Sequence, residues 1–123
     1  MSPAELFERV VQVAPAFGQS VAEHLQDNDG LLPHVLMPRL LGFIGEGLLA
    51  HEPVAAPVLG VLELLEAEVV GGDIETENVI AVSFVEHLEV EPYFDRLYPL
   101  LGPNLRAAHA SFIGERPSQQ NAG

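Results

Sequence analysis

Apolar residues recur along this chain with a period near 3.6, and proline or glycine closes most of the segments so formed. Ser2-Pro3-Ala4-Glu5 places a capping serine, a proline at the first helical position and a glutamate at the third. Together these satisfy orphaned amides and suit the helix dipole, so a first helix is expected to start there. Leu6, Val10 and Val13 recur along it, with Phe7 and Val11 beside them, until Pro15 either breaks the helix or begins the next. The second segment carries Phe17, Val21 and Leu25 on one side and stops at Asp27-Asn28-Asp29-Gly30, residue types that favour turns.

Pro33 is placed to open a third helix whose apolar stripe is Leu36, Leu40, Phe43, Ile44 and Leu48. Pro38 is expected to bend it early, and Gly42 and Gly45 leave room for a neighbouring helix to approach. A fourth helix is predicted from about Pro53, with Val54, Val58, Val61, Leu62, Leu65 and Val69 inward, Glu63 and Glu66 outward, and Gly71-Gly72 as its end. Asp73 then caps a fifth, over residues 74–89, which buries Ile80, Phe84 and Leu88 and holds Glu75 and Glu77 in its first turn. Glu91-Pro92 closes it. Residues 93–98 and 103–112 read as one short and one moderate helix.

No hairpin dipeptide separates alternating runs, so a sheet has little support. The fold class is therefore all-α: five to seven short helices packed as antiparallel neighbours, with a short helical-hairpin stack as one arrangement of them. No internal period establishes such a stack. The expected division is a single helical domain over residues 1–113 and a polar tail over 114–123, whose composition predicts disorder.

Composition adds three constraints. With 123 residues, 48% of them apolar, the chain has the size and content for one core and no second. Cysteine is absent, which removes disulfides, thiolate metal sites and a cysteine nucleophile together. No basic stretch followed by an apolar one stands at the N-terminus, so the expected compartment is the cytoplasm. The most hydrophobic stretch, residues 31–50, contains His34, Arg39, Glu46, two prolines and three glycines, and reads as a core helix rather than a membrane span.

Charge changes the picture most. Eighteen acidic residues face five arginines and no lysine, a formal net charge of −13. Nucleic acid and anionic membranes are poor partners for such a chain. Between Arg39 and Arg96 there is no basic residue, while twelve acidic ones accumulate from Glu46 to Asp95.

Candidate chemistry is sparse. Aligning Gly30 with the turn glycine of a calcium loop puts Leu25 and Leu36 at ligand positions, so Asp27-Asn28-Asp29-Gly30 is an acidic turn. Gly42-Phe43-Ile44-Gly45-Glu46-Gly47 matches no phosphate-binding spacing, and its glutamate would repel phosphate. His24, His34, His51, His87 and His109 form no ligand pair on one helical face, so no metal site and no cofactor are expected. Glu86-His87-Leu88-Glu89 sets two carboxylates and an imidazole within one turn, a constellation for acid–base work if burial splits their pKa values and otherwise a solvated face. Ser2, Ser20, Ser83, Ser111 and Ser118 have no nucleophile-elbow context, and no catalytic residue is assigned.

The acidic tract carries two readings: solubility, or a face that binds a basic protein. For the second, the contact residues expected are Glu66, Asp73, Glu75, Glu77, Glu86 and Glu89, with Tyr93 or Tyr98 as an aromatic anchor beside them. Glu63, Glu68 and Glu91 add to the same field.

Leu31-Leu32-Pro33-His34-Val35-Leu36-Met37, followed by Asn78-Val79-Ile80-Ala81-Val82-Ser83-Phe84-Val85-Glu86-His87-Leu88, resembles an uncharacterised family of small acidic helical bacterial proteins, over roughly residues 4–112. The resemblance implies an immunity protein, the neutralising partner of a bacterial polymorphic toxin, and implies no catalytic residues. The function expected is thus inhibition of a basic toxin through an acidic surface. The alternatives are a non-catalytic scaffold or regulatory module that binds a peptide or forms a homodimer, which an apolar surface groove would favour, and an enzyme built around Glu86 and His87, which needs a pocket where they converge.

Overall fold

The computed structural model describes residues 1–50 and 53–114. Seven α-helices and three 3-10 turns fill them, with no strand among the described residues, so the chain is all-α. The helices are α1 (Pro3–Val13), α2 (Gly18–Asn28), α3 (Pro33–Ala50), α4 (Ala56–Gly71), α5 (Ile74–Ser83), α6 (Phe94–Leu97) and α7 (Pro103–Gly114). The 3-10 turns are Pro15–Phe17, Val85–Val90 and Tyr98–Leu100. The expected polar tail lies outside the described residues except for Gly114, which is still helical.

Local signals act as the sequence says at three places. The Ser2 hydroxyl accepts from the Glu5 amide and the Glu5 carboxylate accepts from the Ser2 amide, a complete capping box. Pro15 does both things open to it: α1 stops before it, and it begins a 3-10 turn that runs into α2. Asp29 takes the left-handed conformation (φ 53°) and Gly30 follows at φ 136°, ending α2. α3 continues unbroken through Pro38, so the expected bend does not interrupt the helix.

Two boundaries differ from expectation. α4 begins at Ala56 rather than near Pro53, because the proline that fills the first helical turn is Pro57, after an extended Ala55. The fifth helix stops at Ser83 instead of running to residue 89. Phe84 leaves helical geometry (φ −121°, ψ −63°) and the chain tightens into the 3-10 turn Val85–Val90. Ile80, Phe84 and Leu88 are buried nonetheless, so the pattern identified the inward side correctly while missing the change of helix type.

α4 packs on α1, α5 and α7, and α3 lies across α5. Leu6, Val10, Phe17, Leu40, Ile44, Leu65, Ile80, Phe84, Leu97 and Leu105 fill the space between them in one continuous core. Phe17 and Phe43 meet with ring centroids 5.4 Å apart. α5 is buried at Thr76, Val79, Ile80 and Ser83, the i, i+3, i+4 and i+7 positions of one inward stripe.

α2 is the exception. Its one fully buried side chain is His24, and of its expected apolar line Val21 is half-buried and Leu25 is 42% exposed. His24 latches the turn: its Nε2 accepts from the Leu32 amide at 3.0 Å, and Asn28 bonds back to the His24 carbonyl at 2.9 Å.

Candidate functional site

The acidic residues of the central tract divide into two sets. In the first, the carboxylates hold the fold together. Glu66 leaves α4 toward the start of α7, where its oxygens accept from the Asn104 and Leu105 amides at 2.8 and 2.9 Å. It is therefore not on the outward side expected for it. The position is explained by α7, which opens on Pro103 after Gly102: a glycine offers no side chain to cap the exposed amides, and a carboxylate from α4 does so with favourable dipole charge. Gly102 also leaves the space, since a Cβ there would overlap the Glu66 carboxyl.

Glu68 and Asp73 face the Met1 ammonium at 3.4 and 3.6 Å. Burial lowers the pKa of that ammonium, but the Glu68 hydrogen bond and the charges of Asp73, Glu68 and Glu5 outweigh burial and raise it. Asp73 holds the N-cap position of α5, yet its side chain caps no amide there. Thr76 adds a tie by donating its hydroxyl to the Met1 carbonyl at 2.6 Å. Glu89 turns toward α7, its Oε1 3.1 Å from Nε2 of the buried His109.

The second set faces solvent. Glu63 on α4, Glu75 on α5 and Glu86 in the following 3-10 turn are exposed, and Glu77 is half-buried. Of the six carboxylates expected to form a binding face, Glu75 and Glu86 are thus fully outward, Glu77 partly so, and Asp73 is exposed but paired. The structure does not gather Glu66 and Glu89 with them.

Tyr93 is not a surface anchor. It is 6% exposed, its hydroxyl donates to the Leu41 carbonyl at 3.1 Å, and its ring lies directly on Gly45, where any Cβ would overlap it. Burial, then the nearby charges of Glu91 and Glu46, push its phenol pKa well above the ordinary value. The close approach foreseen at Gly45 is real, but its occupant is this ring. Tyr98 is half-buried within a cluster: Phe94 and His109 lie 5.4 and 5.6 Å away by ring centroid, and the Arg106 guanidinium sits 5.1 Å over its face.

The remaining polar groups are dispersed. His34 Nδ1 meets the buried Ser83 hydroxyl at 2.7 Å, joining α3 to α5. Glu86 and His87 point to solvent while Glu89 turns to His109, so the acid–base constellation of this turn is split between two sides. Among the described residues no three His, Asp or Glu side chains converge as a metal site, and no helix is long and apolar enough to cross a membrane.

Concavities among the described residues include the following. One of about 590 Å³ lies between α1 and α2, lined by Phe7, Val11, Val21, Ala22 and Leu25 among others, with Glu8 and Gln12 in its wall. Another of about 420 Å³ lies by Phe43, Glu46 and Val58, and a third of about 220 Å³ by Leu59, Glu63 and Leu100. The first was not foreseen as a cleft. Its signal was present in α2, where Val21 and Leu25 share a side with the small residues Gly18 and Ala22, too little bulk to bury that side in the core.

No curated protein and no solved structure matches the chain. A family described as a domain of unknown function, DUF7674, matches residues 7–114, nearly the whole of the described fold. The chain belongs to that family.

Proposed function

We propose that this chain is a non-catalytic protein-binding domain of the immunity type, which neutralises a basic toxin in the bacterial cytoplasm by covering its cationic surface. One observation carries the reading: Glu63, Glu75 and Glu86 remain exposed on three successive elements, in a stretch where no basic residue occurs between Arg39 and Arg96. A field of one sign speeds encounter with a cationic partner and fixes its orientation, and salt screens it. The binding face in this reading is centred on Glu63, Glu75, Glu77 and Glu86, with Asp73 at its edge, while Glu66, Glu89 and Tyr93 shape the surface from within.

The test is a pull-down of the tagged protein from its host at low and high salt, repeated with a Glu63→Gln, Glu75→Gln, Glu86→Gln variant. The expected result is a basic partner retained at low salt, released at high salt and lost from the variant. Equal retention by the variant would remove the reading. A second reading, a scaffold that binds a peptide, is favoured by the apolar groove between α1 and α2.

A further inference from the structure

We propose that the groove between α1 and α2 is a docking site for one amphipathic helix of a protein partner, apolar at every third and fourth position and flanked by basic residues. The inference rests on the protein-binding reading above and assigns it a second, apolar contact.

α1 and α2 are joined through the short 3-10 turn Pro15–Phe17, and the groove is lined from the first to the last turn of α1. At about 1.5 Å per residue, the eleven residues of α1 make a channel of roughly three helical turns. Phe7, buried in the core, is its floor; Val11, Val21 and the 42% exposed Leu25 are its walls. Gly18 and Ala22 keep the α2 side low, which lets a third helix approach as small residues do at helix–helix contacts. α2 thus carries an apolar stripe at helical spacing that the core covers only in part, at Val21.

Charge selects among the possible occupants. Glu8 lies in the wall and no described lining residue is basic, so the complementary helix bears Lys or Arg where it faces Glu8. A second copy of this chain would bring another −13 against the same surface. Residues 115–123 contain no leucine, isoleucine, valine, methionine or aromatic side chain with which to fill the groove. A cationic amphipathic helix supplies both the apolar side chains and the charge.

The experiment uses a labelled synthetic peptide of about 18 residues, leucine at i, i+3, i+4 and i+7 and lysine elsewhere, against a peptide of identical composition with leucine and lysine alternating. Binding to the full chain is followed by fluorescence anisotropy, and the contact is mapped by amide chemical shifts. The expected outcome is shifts at Val11, Val21 and Leu25, affinity at least about tenfold above the alternating peptide, and a loss of about tenfold or more in Ala22→Arg, whose exposed position leaves folding intact.

Equal binding of both peptides, shifts confined to α4 and α5, or no binding at all would overturn the inference. So would a concentration-dependent dimer that Ala22→Arg dissociates, since the occupant would then be a second copy. The failure of the acidic-face reading is distinguishable: there the salt-sensitive partner survives the triple Gln substitution, whereas here it survives Ala22→Arg.

Discussion

Glu66 and Glu75 stand nine positions apart in the same uncompensated anionic run, yet one ends at the seam of α4 and α7 and the other in open solvent. What separates them is what the neighbouring backbone lacks. At the seam, the first amides of α7 need an acceptor, and Glu66 meets that need; over α5, Glu75 already lies in the first turn of its own helix and stands exposed. Charge density along a sequence therefore does not measure charge available to a partner.

The largest expected effect is at the buried aromatic that adjoins this run. Tyr93→Ala should cost about 3–5 kcal/mol, as removal of a large core ring does, read from the urea midpoint. Gly45→Ala should strike the same contact from the other side, at roughly 1–3 kcal/mol of overpacking. A surface role for Tyr93 instead predicts little change for either substitution.

Next comes the seam itself. Glu66→Ala should destabilise by about 1–3 kcal/mol, because two amides at the start of α7 lose their acceptor. Hydrogen exchange should speed first at Asn104 and Leu105. If Glu66→Ala and Glu75→Ala prove equally mild, the contrast between the two regions is broken.

For the outward set the expected stability effect is small. Glu63→Gln, Glu75→Gln and Glu86→Gln should each change unfolding free energy by no more than about 0.5 kcal/mol. Together they should flatten the rise of the melting midpoint with salt, since fewer like charges remain to be screened.

The smallest effect separates capping carboxylates from free ones by pH. The Ser2 backbone amide, then the Ser2 side chain, hold the Glu5 pKa below its usual 4.5. A depressed folded pKa gives stability that is complete above the unfolded value and is lost as pH falls through the folded one. Glu5→Gln should thus remove a share of the acid sensitivity below about pH 4.5, as compared by melting at matched pH.

Much of the fold was legible where the signal is local: the Ser2 box, the turn at Asp29-Gly30 and the Pro33 start need only a few adjacent residues. The end of α5 was not, because residues 79–85 are almost wholly apolar or small and no polar side marks where the helix tightens. The exposed members of the acidic tract were legible as charge, but Glu66 was not legible as a cap. Its clue was thirty-six positions away, in the capless Gly102-Pro103 start of α7. Gly45 announced a close approach without naming the visitor, and Tyr93 was assigned to the surface because a phenol suits either place.

The bonds made by His24 Nε2 and by the Tyr93 hydroxyl close very different lengths of chain, eight residues and fifty-two. The entropy of closing a loop rises with the logarithm of its length, so the short closure tends to come first in time. The His24 turn is accordingly expected to form early and the seating of Tyr93 on α3 late. A fault at Tyr93 should shorten the lifetime of the folded chain with little change in how fast it forms, which stopped-flow unfolding of Tyr93→Phe would reveal as a steeper rise in the unfolding rate than fall in the folding rate.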